Sequence, residues 1–313
     1  MVDDPTSSVK GHEQKIEYLA AIKGHLIKSY EENVSPAALD AILDLLDLEE
    51  SDRAVFHAFS HLIPRLVPIH PFMELCHGYE TDLHFSNQLA DKNALSTGEL
   101  WKCLPIITNA DLLAYADDVA GSVASACCYL AWSILSPSPN HPTRPVLEFT
   151  WAQTDPKRKS DEAGTDDQRS HDDHRVEILK NAREMGWALQ LVNIARDMKK
   201  DALNSRVYIP LSSFPSSELV LAFLRPKLGN PLPSCQPQVL GLVDIANSLR
   251  DKTAPYMELL PREARGGLRA MVASYFEIAE EITRRKGEVE DTGVKVSSWR
   301  RARAASAAFW GIS

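Results

Sequence analysis

The sequence predicts an all-α fold, one domain of packed and mostly antiparallel helices. Three observations carry this. Apolar residues recur at helical spacing through most of the 313 residues. No alternating apolar–polar run is long enough to build a sheet. Glycine is sparse, at 14 residues, and every long helical pattern tolerates few of them. With 44% apolar and 25% charged residues the composition is ordinary, and a core of this size needs no covalent staples.

The elements follow in order. His12 to Tyr30 reads as an amphipathic helix, and Ser35 to Leu48 as a second, opened by a serine–proline pair. Ser51 to Leu66 is a third, interrupted by Pro64, and Pro71 to Phe85 a fourth, with Gly78 inside it. Asn109 to Leu135 is a long helix rich in small residues. From residue 137 to 174 prolines give way to a polar, low-complexity run, read as a mobile loop or insertion. Within it Ser170-His171-Asp172-Asp173-His174 is taken as solvated loop rather than a metal cluster. Arg175 to Leu203 is the strongest helical pattern of the chain. Ser216 to Leu224 is a short helix, followed by a Pro/Gly-rich break over Arg225 to Pro237. Helices at Val239 to Leu260, Pro261 to Arg285 and Ser297 to Trp310 complete the chain. No internal repeat or domain boundary interrupts it, so residues 1–313 form one unit.

A formal net charge of −9 argues against a nucleic-acid partner. It leaves an anionic substrate open, because a divalent cation neutralises phosphate locally. The five cysteines include no Cys-x-x-Cys pair, which argues against a disulfide framework or zinc site and for a reducing compartment. Met1-Val2-Asp3-Asp4 is no signal peptide. The longest apolar run, Gly121 to Leu135, falls short of the ~20 residues of a membrane span, so no transmembrane segment is expected. Arg300, Arg301 and Arg303 are candidates for a membrane-surface contact, with a solvated helix face as the preferred reading.

The chemistry sits on one stripe. Gln190, Asn193, Asp197 and Asp201 follow at steps of three, four and four, which places them within an arc of about 80° on a helix. Leu189, Leu191, Val192, Ile194 and Ala195 cover the remaining faces, so the stripe belongs to a helix that seeks burial. Two buried aspartates one turn apart repel each other unless a cation lies between them. Oxygen-only ligands suit magnesium before zinc, and magnesium keeps waters and takes substrate phosphate. An isolated Asp-x-x-x-Asp pair is more often a solvated charged face. Gln190 and Asn193 on the same stripe, and Arg206-Val207-Tyr208-Ile209-Pro210 just beyond, weigh against that.

Met185-Gly186-x-x-x-Gln190-x-x-Asn193-Ile194-x-Arg196-Asp197-Met198-x-x-Asp201, with Arg206-x-Tyr208-x-Pro210, resembles the second aspartate-rich signature of the squalene/phytoene synthase family. Tyr115-Ala116-x-x-Val119-Ala120-Gly121-Ser122-Val123 is similar to the family's other signature, with Ala124 where glycine is usual. Gly78-Tyr79-x-x-Asp82-Leu83 is a weaker third match. The resemblance covers nearly the whole chain and implies an isoprenoid-synthase-type helical bundle around a central cavity. The form Arg206-Val-Tyr-Ile-Pro favours the phytoene type over squalene synthases, which usually carry a bulky aromatic before this proline and need a reductant. The wording around Asp197 resembles the synthase half of fungal bifunctional lycopene cyclase/phytoene synthases.

The resemblance implies condensation of two geranylgeranyl diphosphates to phytoene, through a cyclopropylcarbinyl diphosphate, in carotenoid biosynthesis. Asp197, Asp201 and Asn193 would bind magnesium, or manganese in its place. Gln190, Asn193, Arg206 and Tyr208 would bind diphosphate, and Tyr115 would act in catalysis beside Asp197 and Asp201. The expected location is the cytoplasm or the surface of an intracellular membrane. The family's first aspartate motif ends in Val-Asp-Asp or similar, so Met1-Val2-Asp3-Asp4 is expected to be its tail, with Asp3 a metal ligand. A squalene-type synthase and a catalytically impaired scaffold protein are the alternatives, the second because that motif is incomplete here.

Overall fold

The computed structural model describes residues 11–32, 34–46, 48–88, 104–135, 166–204, 206–224 and 232–311. Among these residues the protein is all-α, as the periodicity requires, with no strand. Asp3 lies outside the described residues, as do 137–165 of the expected loop.

Helix α1 spans His12–Ser29 and α2 Pro36–Leu43, the latter capped by Ser35, whose Oγ accepts from the Ala38 amide at 3.2 Å. A 3₁₀ turn, Asp44–Leu46, continues α2, and α3, Glu50–Leu62, ends in a 3₁₀ turn at Ile63–Arg65. Pro64 forces that change, since it offers no amide to an α-helical bond. Helix α4 spans His70–Gln88 and packs on α1 around Leu19, Leu26, Cys76 and Leu83. The segment predicted as one helix over 109–135 is three pieces. Helix α5 is Asn109–Ala116, started by a Thr108/Asp111 capping box; residues Asp117–Gly121 form a π-helical turn; α6 runs Ser122–Leu135.

Helix α7, Asp166–Leu203, is the axis of the molecule. It begins nine residues earlier than the sequence pattern suggests, so 166–174 is helix and not loop. Once 175–203 is held by packing, upstream turns add without a new nucleation cost. After a 3₁₀ turn at Leu211–Ser213 come α8, Ser217–Leu224, and α9, Gln236–Thr253. The latter starts three residues before the sequence reading because Pro237 is tolerated in a first turn. It then tightens into a 3₁₀ stretch, Ala254–Leu259, where Pro255 breaks the α ladder. Helices α10, Arg262–Arg284, and α11, Ser298–Phe309, close the fold.

The main core gathers α7, α9 and α10 around Leu191, Val192, Val239, Val243, Ala246 and Ile282, each with no exposed surface. The four described cysteines, Cys76, Cys127, Cys128 and Cys235, are free thiols. Asn109–Leu135 forms a 27-residue helical stretch with a mean hydropathy of 1.3 in its most apolar window, long and apolar enough to cross a bilayer. The stretch is longer than the uncharged run from Gly121 because it includes α5 and the π turn. In the fold the stretch packs on α4 and α7, and two of its three aspartates, Asp117 and Asp118, pair with Arg183 and His77. Arg300 pairs with Glu277 at 2.9 Å and Glu281 at 2.6 Å, and Arg301 donates to Ser274 Oγ at 3.3 Å. Two of the three tail arginines thus dock α11 on α10.

Candidate active site

The stripe on α7 divides into two halves. Gln190 and Asn193 line an apolar cavity of about 260 Å3, bounded by the π turn and α6, by α7, and by α10 with the 3₁₀ stretch before it. Asp197 and Asp201 continue the same face beyond the cavity. Asn193 Nδ2 donates to Gln190 Oε1 at 3.3 Å, and Asn193 Oδ1 accepts from the Tyr275 hydroxyl of α10. The stripe is therefore continuous from an oily chamber to a pair of carboxylates.

Asp197 accepts from Arg196, which the sequence set on another helix face; its long side chain bends back to make the pair. The loop after α10 lies over this pair, where the Val294 amide donates to the Arg196 carbonyl at 3.3 Å. Gly293, with φ +78°, sits so close that a Cβ there would lie 2.4 Å from Asp197 Oδ1. Asp201 is half-buried. Its carboxyl is pushed up to about 7, because burial and then the charge of Asp197 outweigh Arg206 and Lys200.

Tyr115 and Tyr208 converge on a residue the sequence placed only in its weakest match. Asp82 of α4 is 2% exposed, and its Oδ1 accepts from Tyr115 at 3.0 Å and from Tyr208 at 2.6 Å. The two rings stack at 5.0 Å and 20°. Burial foremost, then the facing tyrosine and Asp82, holds the Tyr115 phenol well above its ordinary pKa; for Tyr208, burial and then Asp82 do so. Arg206 Nη1 donates to the Tyr208 hydroxyl at 3.5 Å. Asp82, Tyr275 and Gly293 are thus site residues that sequence spacing did not single out. Only Asp82 carried a signal, as the fixed acidic position in Gly78-Tyr79-x-x-Asp82-Leu83.

Asn193, Asp197 and Asp201 offer oxygen ligands, and burial, then the charge of Asp197, raises the Asp201 carboxyl despite the nearby Arg206 and Lys200. That donor set fits a hard divalent cation. Among the described residues no group of three or more His, Cys, Asp or Glu stands ready as a metal cage. The remaining ligands would come from water and phosphate, as is usual for magnesium. A pH dependence follows. The folded Asp201 carboxyl at about 7 lies above its ordinary 3.8, so the native state keeps the proton longer than the unfolded chain. This group's contribution to the stability of the metal-free protein is expected to fall as pH rises from about 4 to about 7. Thermal melts in chelator across that window should show the decline in the wild type, and a flatter profile in Asp201→Asn.

A profile of the squalene/phytoene synthase family matches residues 1–300. The chain is 33% identical over 265 residues to a bifunctional lycopene cyclase/phytoene synthase of Phaffia rhodozyma, covering 76% of this chain and 34% of that protein. It is 28% identical over 303 residues to one of Phaeosphaeria nodorum, covering 96% of this chain and 43% of that protein. The chain thus spans between 34% and 43% of the length of these two relatives. Among solved structures, a dehydrosqualene synthase in complex with ligand superposes with a TM-score of 0.52 at 18% identity, covering 96% of this chain and 88% of that one. This likeness shows the fold.

Proposed function

Because this chain belongs to the squalene/phytoene synthase family, we propose that it is a prenyltransferase of the phytoene synthase type, condensing two geranylgeranyl diphosphates head to head. The observation that carries the reading is the continuity of the α7 stripe, from an apolar chamber rimmed by Gln190 and Asn193 to the carboxylates Asp197 and Asp201. An isoprenoid diphosphate has the same two halves in the same order.

Asn193, Asp197 and Asp201 would hold magnesium, or manganese in its place, with Gln190 keeping the Asn193 amide oriented. The metal's chemistry is neutralisation of charge on the departing diphosphate. Arg206 supports the same anion with a planar fork of donors. Tyr208 and Tyr115 spend their hydroxyls on Asp82, so their contribution would come from ring faces backed by a buried carboxylate. The charge of Asp82, which reaches Asp201, would favour positive charge developing at that end of the site. The apolar chamber keeps water from that cation and orients the second double bond.

The test is product analysis of the purified protein with geranylgeranyl diphosphate and magnesium, with and without reduced nicotinamide. Phytoene formed without reductant, and lost in chelator or in Asp197→Ala, is the expected result. A product that requires the nicotinamide would make the protein a squalene-type enzyme. No product in either arm would overturn the reading.

A further inference from the structure

The π turn at Asp117–Gly121 interrupts the α-helical ladder, and three features hold it. Asp117 points away from the cavity. Its Oδ1 accepts from Arg183 Nε and from Trp187 Nε1, both at 2.7 Å, and its Oδ2 from Arg183 Nη2 at 2.5 Å. The Arg183 side chain is 5% exposed and also donates to Glu74 of α4 at 2.7 Å. Glycines complete the clamp. A Cβ on Gly186 would lie 2.5 Å from the Ala120 carbonyl oxygen, and one on Gly78 would lie 2.3 Å from Val119 Cγ1.

On the other side of the turn, Val119, Ala120, Val123, Ala124 and Cys127 line the apolar chamber. A π turn inserts one residue, so relaxing it to α-helix turns everything after it by about 100°. The buried Ser122 or Ser125 would then approach positions now held by Val123 and Ala124. The residues so turned, Val123, Ala124, Cys127 and Cys128, line the chamber from the level of Gly186, where the turn meets α7, to that of Ile178. At that far end Cys128 packs with Ile178 and Leu260.

Lengths decide what this end does. From Asn193 to Ile178 the lining residues of α7 run about 22 Å at ~1.5 Å per residue. An extended isoprenoid unit of four bonds spans roughly 5 Å. Three units from Asn193 end near the level of Arg183, and only a fourth reaches Ile178 and Cys128. Arg183 itself lies fourteen residues from Asp197, about 21 Å along the helix, too far to touch a diphosphate there.

Resting on the proposed function, we infer that the buried Arg183–Asp117 pair is a positioning device that fixes the π turn, and with it the chamber end that accepts the fourth isoprenoid unit. The pair thereby sets the preference for a 20-carbon over a 15-carbon diphosphate. Asp117→Leu frees the turn while Arg183 keeps Glu74. We expect KM for geranylgeranyl diphosphate to rise about tenfold or more, while KM for farnesyl diphosphate stays within about threefold. The kcat for the shorter substrate should hold, because the carboxylates are untouched. Arg183→Lys retains the charge without the fork; it should shift the same ratio in the same direction, and it decides the matter if Asp117→Leu does not fold. A folded variant with the wild-type ratio of the two KM values would overturn this inference alone. A wild-type protein that turns over neither substrate would overturn the proposed function and this inference with it.

Discussion

Asp201→Asn is expected to raise the melting temperature of the metal-free protein while abolishing turnover. The two effects share one cause. Asp201 is half-buried beside Asp197, and its carboxyl is pushed up to about 7 by that burial and that neighbour. Above this pH the native state carries a like-charge pair it would be better without. Asparagine keeps the shape and removes the charge. The gain should be on the order of 2 °C in chelator at pH 8, read by thermal melts. The loss of activity should be about a thousandfold, since the substitution removes one of the two negative charges proposed to hold the cation. Magnesium should stabilise the wild type in the presence of inorganic diphosphate and leave the variant unchanged. A variant that melts lower than the wild type in chelator would show that Asp201 is held by a partner rather than strained. Retained turnover would remove Asp201 from the metal site.

Gly186→Ala should destabilise the protein by about 3 kcal/mol, the cost of overpacking against backbone that cannot move aside. Ordinarily this substitution inside a helix gains up to ~1 kcal/mol. Here the new methyl would sit 2.5 Å from the Ala120 oxygen, 2.7 Å from its carbonyl carbon and 2.8 Å from the Gly121 amide nitrogen. All three atoms belong to the clamped π turn, which α4 presses from the far side through Gly78. Gly241 in α9 is the control, because a Cβ there meets nothing within 4 Å, and Gly241→Ala should be neutral or stabilising. Urea midpoints of the two variants separate the effects. Equal midpoints would mean that the close approach of α7 to the turn is not tight in solution.

The elements whose apolar residues keep a strict period were legible directly. Helix α7 from Arg175 onward, α10 and α11 fall within a residue or so of where the periodicity puts them. Where the sequence reading slipped, the cause is local. Pro255 and Pro64 tighten helix ends into 3₁₀ turns, and the stretch 166–174 is helical though its composition reads as loop. No periodicity marks the π turn, since one inserted residue leaves an apolar, small-residue pattern looking helical throughout.

The candidate site divides in the same way. Gln190, Asn193, Asp197 and Asp201 share one face because helix geometry alone aligns residues three and four apart, and the sequence determines that without reference to the rest of the fold. The sequence also determined the all-α class, because its apolar period is helical nearly throughout. Only tertiary structure decided what that face meets. It set Asp82 under both tyrosines from positions 33 and 126 residues away, folded Arg196 onto Asp197, and laid Gly293 over that pair. It also joined Arg183 to Asp117 behind the cavity wall, across 66 residues. Those contacts depend on how separate helices pack and how a buried charge finds its partner, and no local spacing along the chain encodes such a meeting.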